Sequence, residues 1–144
     1  MNIIKMSKEH LCSVLKLEES IFSSPWREKA FLEELEKDSS YSFVAICDDE
    51  IIGYCVMSTV LDEGSLLLIA VKEEYRRQGV AKALINKLYE IATEIKLSFL
   101  TLEVRVSNDS AIRFYEKEGF SKVATRRNYY SRPIEDAVLM TKYF

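Results

Sequence analysis

The chain has 144 residues, 48% of them hydrophobic and 30% charged, and a formal net charge of −3. That balance fits a single folded domain over residues 1–144, because disorder needs fewer apolar residues and more net charge. It excludes a protein that coats nucleic acid, which draws on a basic excess, and no apolar run approaches the roughly eighteen residues of a bilayer span.

The chain opens with Ile3-Ile4, read as an edge strand. Residues 1–8 lack the charged-then-apolar pattern of a secretory signal, so a cytoplasmic location is expected. Ser7 stands as an N-cap, and Leu11, Val14 and Leu15 recur at helical spacing, which predicts an amphipathic helix over residues 8–20 with His10 on its surface. Ser24-Pro25 reads as the start of a second helix, with serine as cap and proline at the first helical position. Phe31, Leu32 and Leu35 form its apolar face.

Residues 41–47 and 51–60 read as a hairpin turning at Asp48-Asp49-Glu50, with a bulge at Gly53. In that register Cys55 faces Val44. The three cysteines, Cys12, Cys47 and Cys55, are odd in number and irregular in spacing, so they form no disulfide framework. With one histidine and no Cys-x-x-Cys, no metal site is expected. Ser65 to Val71 is a nearly continuous apolar run, predicted to be a central strand buried on both faces.

From Gly79 a helical pattern begins, with Leu84, Leu88, Ile91 and Ile95 as its buried stripe. Residues 98–104 form the next strand. Ser107 is expected to cap a helix through Glu118 whose inner face is Ala111, Phe114 and Tyr115, and Gly119 ends it. Phe120–Arg127 and Ala137–Phe144 read as the last two strands. The order β-α-α-β-β-β-α-β-α-β-β predicts an α+β fold: a mixed, mostly antiparallel central sheet with helices on both faces. The helix over 80–95 makes a right-handed β-α-β crossover between parallel neighbours.

The turn between the apolar strand and the helix at Gly79 carries chemistry. The first turn of a helix leaves backbone N–H groups without partners, and the helix dipole adds to their attraction for anions. Gly79 and the small Ala81 let backbone approach a ligand, and Arg76, Arg77 and Lys82 add positive charge. The segment Arg76-Arg77-Gln78-Gly79-Val80-Ala81 can therefore hold a diphosphate. Neither G-x-x-x-x-G-K-[ST] nor G-x-G-x-x-G is present.

These residues carry a resemblance. A-V-x-x-x-Y-R-R-Q-G-V-A-x-x-L at 70–84 resembles motif A of the GNAT acetyltransferase superfamily, with Ala81 where many relatives have glycine. L-E-V-R-x-S-N-x-x-A-I-x-F-Y-x-x-x-G-F, from Leu102 to Phe120, resembles the region of that superfamily that lines the cofactor thiol. Ser24-Pro25-Trp26, Val60-Leu61-Asp62-Glu63 and Arg126-Arg127-Asn128-Tyr129-Tyr130 with Glu135-Asp136-Ala137 are similar to the RimI-type branch, which acetylates the N-terminal alanine of a small-subunit ribosomal protein.

The resemblance implies acetyl-CoA as co-substrate, no metal, a protein N-terminus as acceptor, and neither nucleic acid nor membrane as partner. It implies that Glu103 accepts the proton of the acceptor ammonium, although the strand pattern alone also allows a solvated glutamate on an open face. It implies that Tyr115 protonates the leaving thiolate, where helical spacing alone allows a core tyrosine. Asn108 is implied in cofactor binding, beside a capping role. Ile69, Ala70 and Val71 would present backbone groups to the pantetheine arm, or serve as core. Trp26, Tyr129 and Tyr130 are aromatic residues of expected loops and stand for the acceptor mouth or a packing cluster. Glu135 and Asp136 stand for attraction of a basic N-terminal segment or for a solvated acidic pair.

Overall fold

A computed structural model describes residues 1–144. The elements are β1 (Asn2–Lys5), α1 (Leu11–Ile21), α2 (Glu28–Glu36), β2 (Ser40–Cys47), β3 (Glu50–Val60), β4 (Glu63–Val71), α3 (Val80–Glu94), β5 (Phe99–Arg105), α4 (Asp109–Lys117), β6 (Ser121–Tyr130) and β7 (Glu135–Tyr143). The strands form one seven-stranded sheet in the order β1-β2-β3-β4-β5-β7-β6. All pairs are antiparallel except β4 and β5, which the α3 crossover makes parallel. The expected α+β fold and element order are present.

Strand alternation divides the core. Phe43, Cys55, Met57, Leu100, Leu102 and Val104 point to one face, where Leu84, Ile85 and Leu88 of α3 and Tyr115 of α4 cover them. Val44, Tyr54, Val56 and Ala70 point to the other, under Leu11 and Val14 of α1 and Phe31 of α2. Each fully buried leucine of α3 contributes about 1.5–3 kcal/mol. Gly53 sits at the bulge, between the pairs Ala45–Gly53 and Ile46–Ile51. A Cβ there would lie 2.8 Å from the Ala70 carbonyl oxygen and 3.2 Å from Val80, so glycine lets α3 settle on the sheet. The turn is only Asp48 and Asp49, with Cys47 paired to Glu50, and beyond the bulge Cys55 faces Phe43 rather than Val44.

Several expected details change. Residues 8–10 form a single 3₁₀ turn before α1. His10 is not a surface residue: its side chain is 11% exposed and Nδ1 accepts the Ser7 N–H at 3.0 Å. The second helix starts at Glu28 and not at Pro25, because the Trp26 N–H is given to Glu18 Oε2 at 2.9 Å and the chain stays extended to Arg27. In α3 the buried stripe is Val80, Leu84, Ile85, Leu88 and Ala92. Ile95 lies past the helix end and is 38% exposed, since the chain turns at Lys96 to insert Leu97 into the core.

The cap of α4 is Asn108, whose Oδ1 accepts the Ala111 N–H at 3.2 Å, and not Ser107, whose N–H goes to Glu135. Strand β6 reaches Tyr130, so Tyr129 and Tyr130 belong to a strand rather than a loop. The guanidinium of Arg105 extends that hairpin: it lies 4.5 Å from the Tyr130 ring centre and donates to the carbonyls of Ser131 and Pro133.

One departure shapes the site. The apolar strand β4 is not buried on both faces, and Leu67 is 39% exposed. The β4–β5 ladder holds only at Glu63–Phe99, Gly64–Leu100 and Ser65–Thr101. Beyond Ser65 the two strands have no pairing, and the sheet forks.

Candidate active site

The fork leaves backbone groups of β4 open. Lys72 donates its N–H to the Ile52 carbonyl, so by ladder alternation Tyr54–Ala70 is a hydrogen-bonded pair and Ile69 and Val71 turn their N–H and C=O toward the fork. Ala70 turns its backbone groups to β3 and its methyl into the core beneath α1 and α2. The Val71 carbonyl is met by Arg76 Nε at 3.0 Å, which folds that side chain back on the strand end.

Above the fork the chain makes one 3₁₀ turn at Glu73–Tyr75 and then enters α3. Gly79 is the N-cap, at φ +81, a left-handed conformation that glycine adopts without a Cβ penalty. Arg77 is also left-handed, at φ +62. For a residue with a side chain that costs about 1–2 kcal/mol, and strain of this kind clusters at ligand clamps. None of the N–H groups from Arg77 to Lys82 is hydrogen-bonded within the protein. Val80 anchors the helix start in the core at 4% exposure, while Arg77, Gln78 and Gly79 are exposed. Gln78 is tied to the Glu74 carbonyl, Lys82 stands 3.4 Å from Glu118, and Ala81 is half-buried. A row of free N–H groups at a helix start fits a diphosphate.

Glu103 lies midway along β5. Its neighbours Leu102 and Val104 enter the core under α3 and α4, so its carboxylate points to the other face, the one that α1 and α2 cover farther along the sheet. There it lines an open groove with Ser65, Thr101, Leu139, Thr141 and Arg126. Arg126 Nε of β6 lies 3.3 Å from Glu103 Oε1, and the glutamate side chain is 26% exposed. The cation engages Oε1 alone.

Tyr115 sits on α4 at 8% exposure, edge-on to Phe114 and Phe120. Its hydroxyl has no hydrogen-bond partner in the protein. Burial pushes its phenol well above the ordinary range, and the nearby Tyr130 adds to the shift. It therefore stays protonated at neutral pH, as a proton donor must. Tyr130 is raised to about 12, by burial first and then by Tyr129 and Glu103. Tyr130 is thus within electrostatic reach of both Glu103 and Tyr115.

The outer residues divide. Trp26 is half-buried in the α1–α2 connection, edge-on to Phe31 at 5.2 Å. Tyr129 is 52% exposed beside Tyr130. Glu135 has no free oxygen for a basic segment: Oε2 accepts the Ser107 N–H at 2.8 Å and Oε1 faces Arg105 at 3.2 Å. The Ser107 bond, followed by Arg105, lowers its carboxyl below the ordinary range. Asp136 is committed too, accepting the Asn128 N–H. The acidic pair fastens the β6–β7 hairpin. Asn108 spends Oδ1 on capping α4, next to the fork end of β5.

Sequence reading missed three residues of this region. Arg105 shares the face of Glu103 at the i+2 position, which a period of two makes visible. Arg126 pairs with Glu103 only through the sheet order β5-β7-β6, which has no local signal. Glu18, 1% exposed, continues the buried stripe of Leu11 and Val14, and a charge on that stripe was the available sign.

Comparison with known proteins shows the family of the chain. The family model of the acetyltransferase (GNAT) family matches residues 11–120. The [ribosomal protein bS18]-alanine N-acetyltransferase of Escherichia coli (strain K12) is 34% identical over 140 residues, covering 96% of this chain and 94% of that protein. An N-alpha-acetyltransferase of Sulfurisphaera tokodaii is 37% identical over 123 residues, covering 76% of this chain and 73% of its own. The crystal structure of the ribosomal-protein-S18-alanine N-acetyltransferase from Escherichia coli superposes with a TM-score of 0.91 at 32% identity, over 99% of this chain and 92% of that one. The family match over residues 11–120, together with a relative 34% identical over nearly the whole chain, identifies the chain as a member of the acetyltransferase (GNAT) family.

Proposed function

We propose that the chain transfers the acetyl group of acetyl-CoA to the N-terminal α-amine of a protein, and that the acceptor is the N-terminal alanine of a small-subunit ribosomal protein. The observation that carries this reading is the fork, with free backbone N–H groups above it and Glu103 facing a groove beside it. The names of the Escherichia coli and Sulfurisphaera relatives support an α-amine as acceptor.

Acetyl-CoA supplies the acetyl thioester and the leaving thiol. The N–H groups of residues 77–82 would hold its diphosphate, with Arg76, Arg77 and Lys82 adding charge. Ile69 and Val71 would take the pantetheine arm along the open side of β4, with the small Ala70 between them, and Asn108 would line the far side. An α-amine has a pKa of about 7.7–8.0, so the base has a modest task at neutral pH. Glu103 receives that proton on its free oxygen. Tyr115 gives its proton to the departing sulfur. Trp26, Tyr129 and Tyr130 form the mouth that the acceptor enters, and Glu135 holds the hairpin of the two tyrosines in place.

Incubation of the purified chain with acetyl-CoA and a peptide copying the ribosomal protein's N-terminus is expected to release free CoA, with the mass of one acetyl group added at the peptide's α-amine. A folded sample that gives no release above background, or that modifies only lysine side chains, overturns this reading.

A further inference from the structure

The middle of the connection between α1 and α2 makes one hydrogen bond to the rest of the protein. Among residues 23–26 only the Trp26 N–H is bonded within the protein, to Glu18 Oε2 at 2.9 Å. The other oxygen of Glu18 accepts the Tyr54 hydroxyl of β3 at 2.5 Å. Both residues are buried, Glu18 at 1% and Tyr54 at 0% exposure. The rings follow the same line: Trp26 is edge-on to Phe31 at 5.2 Å, and Phe31 is edge-on to Tyr54 at 6.2 Å.

Stability alone does not account for this carboxyl. Burial raises its pKa above the ordinary carboxylate range and also raises that of Tyr54, and an apolar replacement of a buried charged group is often neutral or stabilising. What an apolar pair would lose is the fixed distance between the sheet and the Trp26 backbone. The connection lies on the sheet face to which Glu103 points, because Leu102 and Val104 occupy the opposite one.

We propose that Glu18 is a positioning residue that sets selectivity for the first residue of the acceptor, by fixing Trp26 as a rigid wall of the acceptor mouth. The inference rests on the acceptor reading above. The Phe31 contact holds the Trp26 ring, and the Glu18 bond alone holds its backbone, so a larger side chain is rejected only while that bond lasts. Glu18→Gln turns an amide donor toward one of two donors and breaks one tie. Tyr54→Phe removes one partner and keeps the carboxyl.

The test measures kcat/KM by CoA release for two peptides identical except for alanine or leucine at the first position. It uses the wild type, Glu18→Gln and Tyr54→Phe. Fluorescence of Trp26, the sole tryptophan, is read with and without an acrylamide quencher. In Glu18→Gln the alanine-over-leucine ratio is expected to fall about tenfold, the scale of discrimination that a few methylenes allow. Tyr54→Phe is expected to lower it in the same direction and by less. In both, KM for acetyl-CoA stays unchanged, and Trp26 emission moves to longer wavelength with stronger quenching.

An unchanged ratio in an active variant overturns the proposal and leaves the acceptor reading standing. So does an equal loss on both peptides, or a wild type that uses them equally. If Glu18→Gln does not fold, Tyr54→Phe decides by the same ratio. A wild type that acetylates neither peptide overturns the acceptor reading, and this inference with it.

Discussion

The two halves of the candidate site are built from different material. The half proposed for acetyl-CoA, from Ile69 to Lys82, offers backbone: open N–H and C=O groups at the fork and a row of free N–H groups at the start of α3. Two of its charged side chains have partners in the protein, Arg76 the Val71 carbonyl and Lys82 Glu118. The half around Glu103 offers side chains: Glu103 of β5, Arg126 and Tyr130 of β6, and Tyr115 of α4. A backbone site is specified by where the chain bends, so one glycine and one helix start suffice. A side-chain site is specified by which strands become neighbours.

The comparison can be broken at several points. Glu103→Gln is expected to lower kcat by about 100-fold or more, the scale of a lost general base, with KM for acetyl-CoA unchanged. A wild-type rate removes its role. Tyr115→Phe is expected to lower kcat by at least about tenfold, since the hydroxyl is the only atom removed. Steady-state rates of CoA release measure both.

Gly79→Val forces a β-branched residue to φ +81. At about 1–2 kcal/mol of strain, KM for acetyl-CoA is expected to rise roughly tenfold while kcat at saturation holds. Arg77→Gln keeps the loop and removes a charge, so KM should rise by no more than about fivefold, the ceiling of an exposed ion pair. A larger effect from Arg77 than from Gly79 would reverse the assignment of backbone and side chain.

The smallest expected effect is a pH dependence. Glu135 has a lowered carboxyl pKa, so its contribution to stability is fully present above the ordinary value of 4.5. It is lost as pH falls below that value and through the lowered one. Thermal melts between pH 6 and pH 3 (roughly the window of carboxylate titration) should show a shallower loss in Glu135→Gln than in the wild type. Parallel curves would remove Glu135 from the hairpin's support.

The contrast between halves also governs what could be read from the amino acids alone. The glycine turn at the start of α3 was legible because its signal is contiguous: an apolar run, a charged turn, a glycine, then helical spacing. The strand and helix order was legible from periodicity for the same reason. The Glu103–Arg126 pair was not, since the two residues meet only because β7 and β6 follow β5 in the sheet. Ser107 and Asn108 are both good caps, and residue type could not choose between them. In the structure Asn108 Oδ1 takes the Ala111 N–H, while the Ser107 N–H goes to Glu135. The run Ser65–Val71 looked fully buried because composition does not reveal that its neighbour departs after Ser65. Tyr129 and Tyr130 looked like loop residues because the cation stacked on Tyr130 comes from β5, twenty-five positions earlier (130 less 105).

The fork leaves two half-sheets joined by only three residue pairs. A ligand whose amides bond to Ile69 and Val71 would serve as the missing rungs. Binding would then be felt as folding energy along β4. Amide hydrogens of Ile69 and Val71 should exchange slowly in the presence of acetyl-CoA and fast in its absence, while those of β2 and β3 hardly change. The melting temperature should climb with ligand concentration as mass action requires.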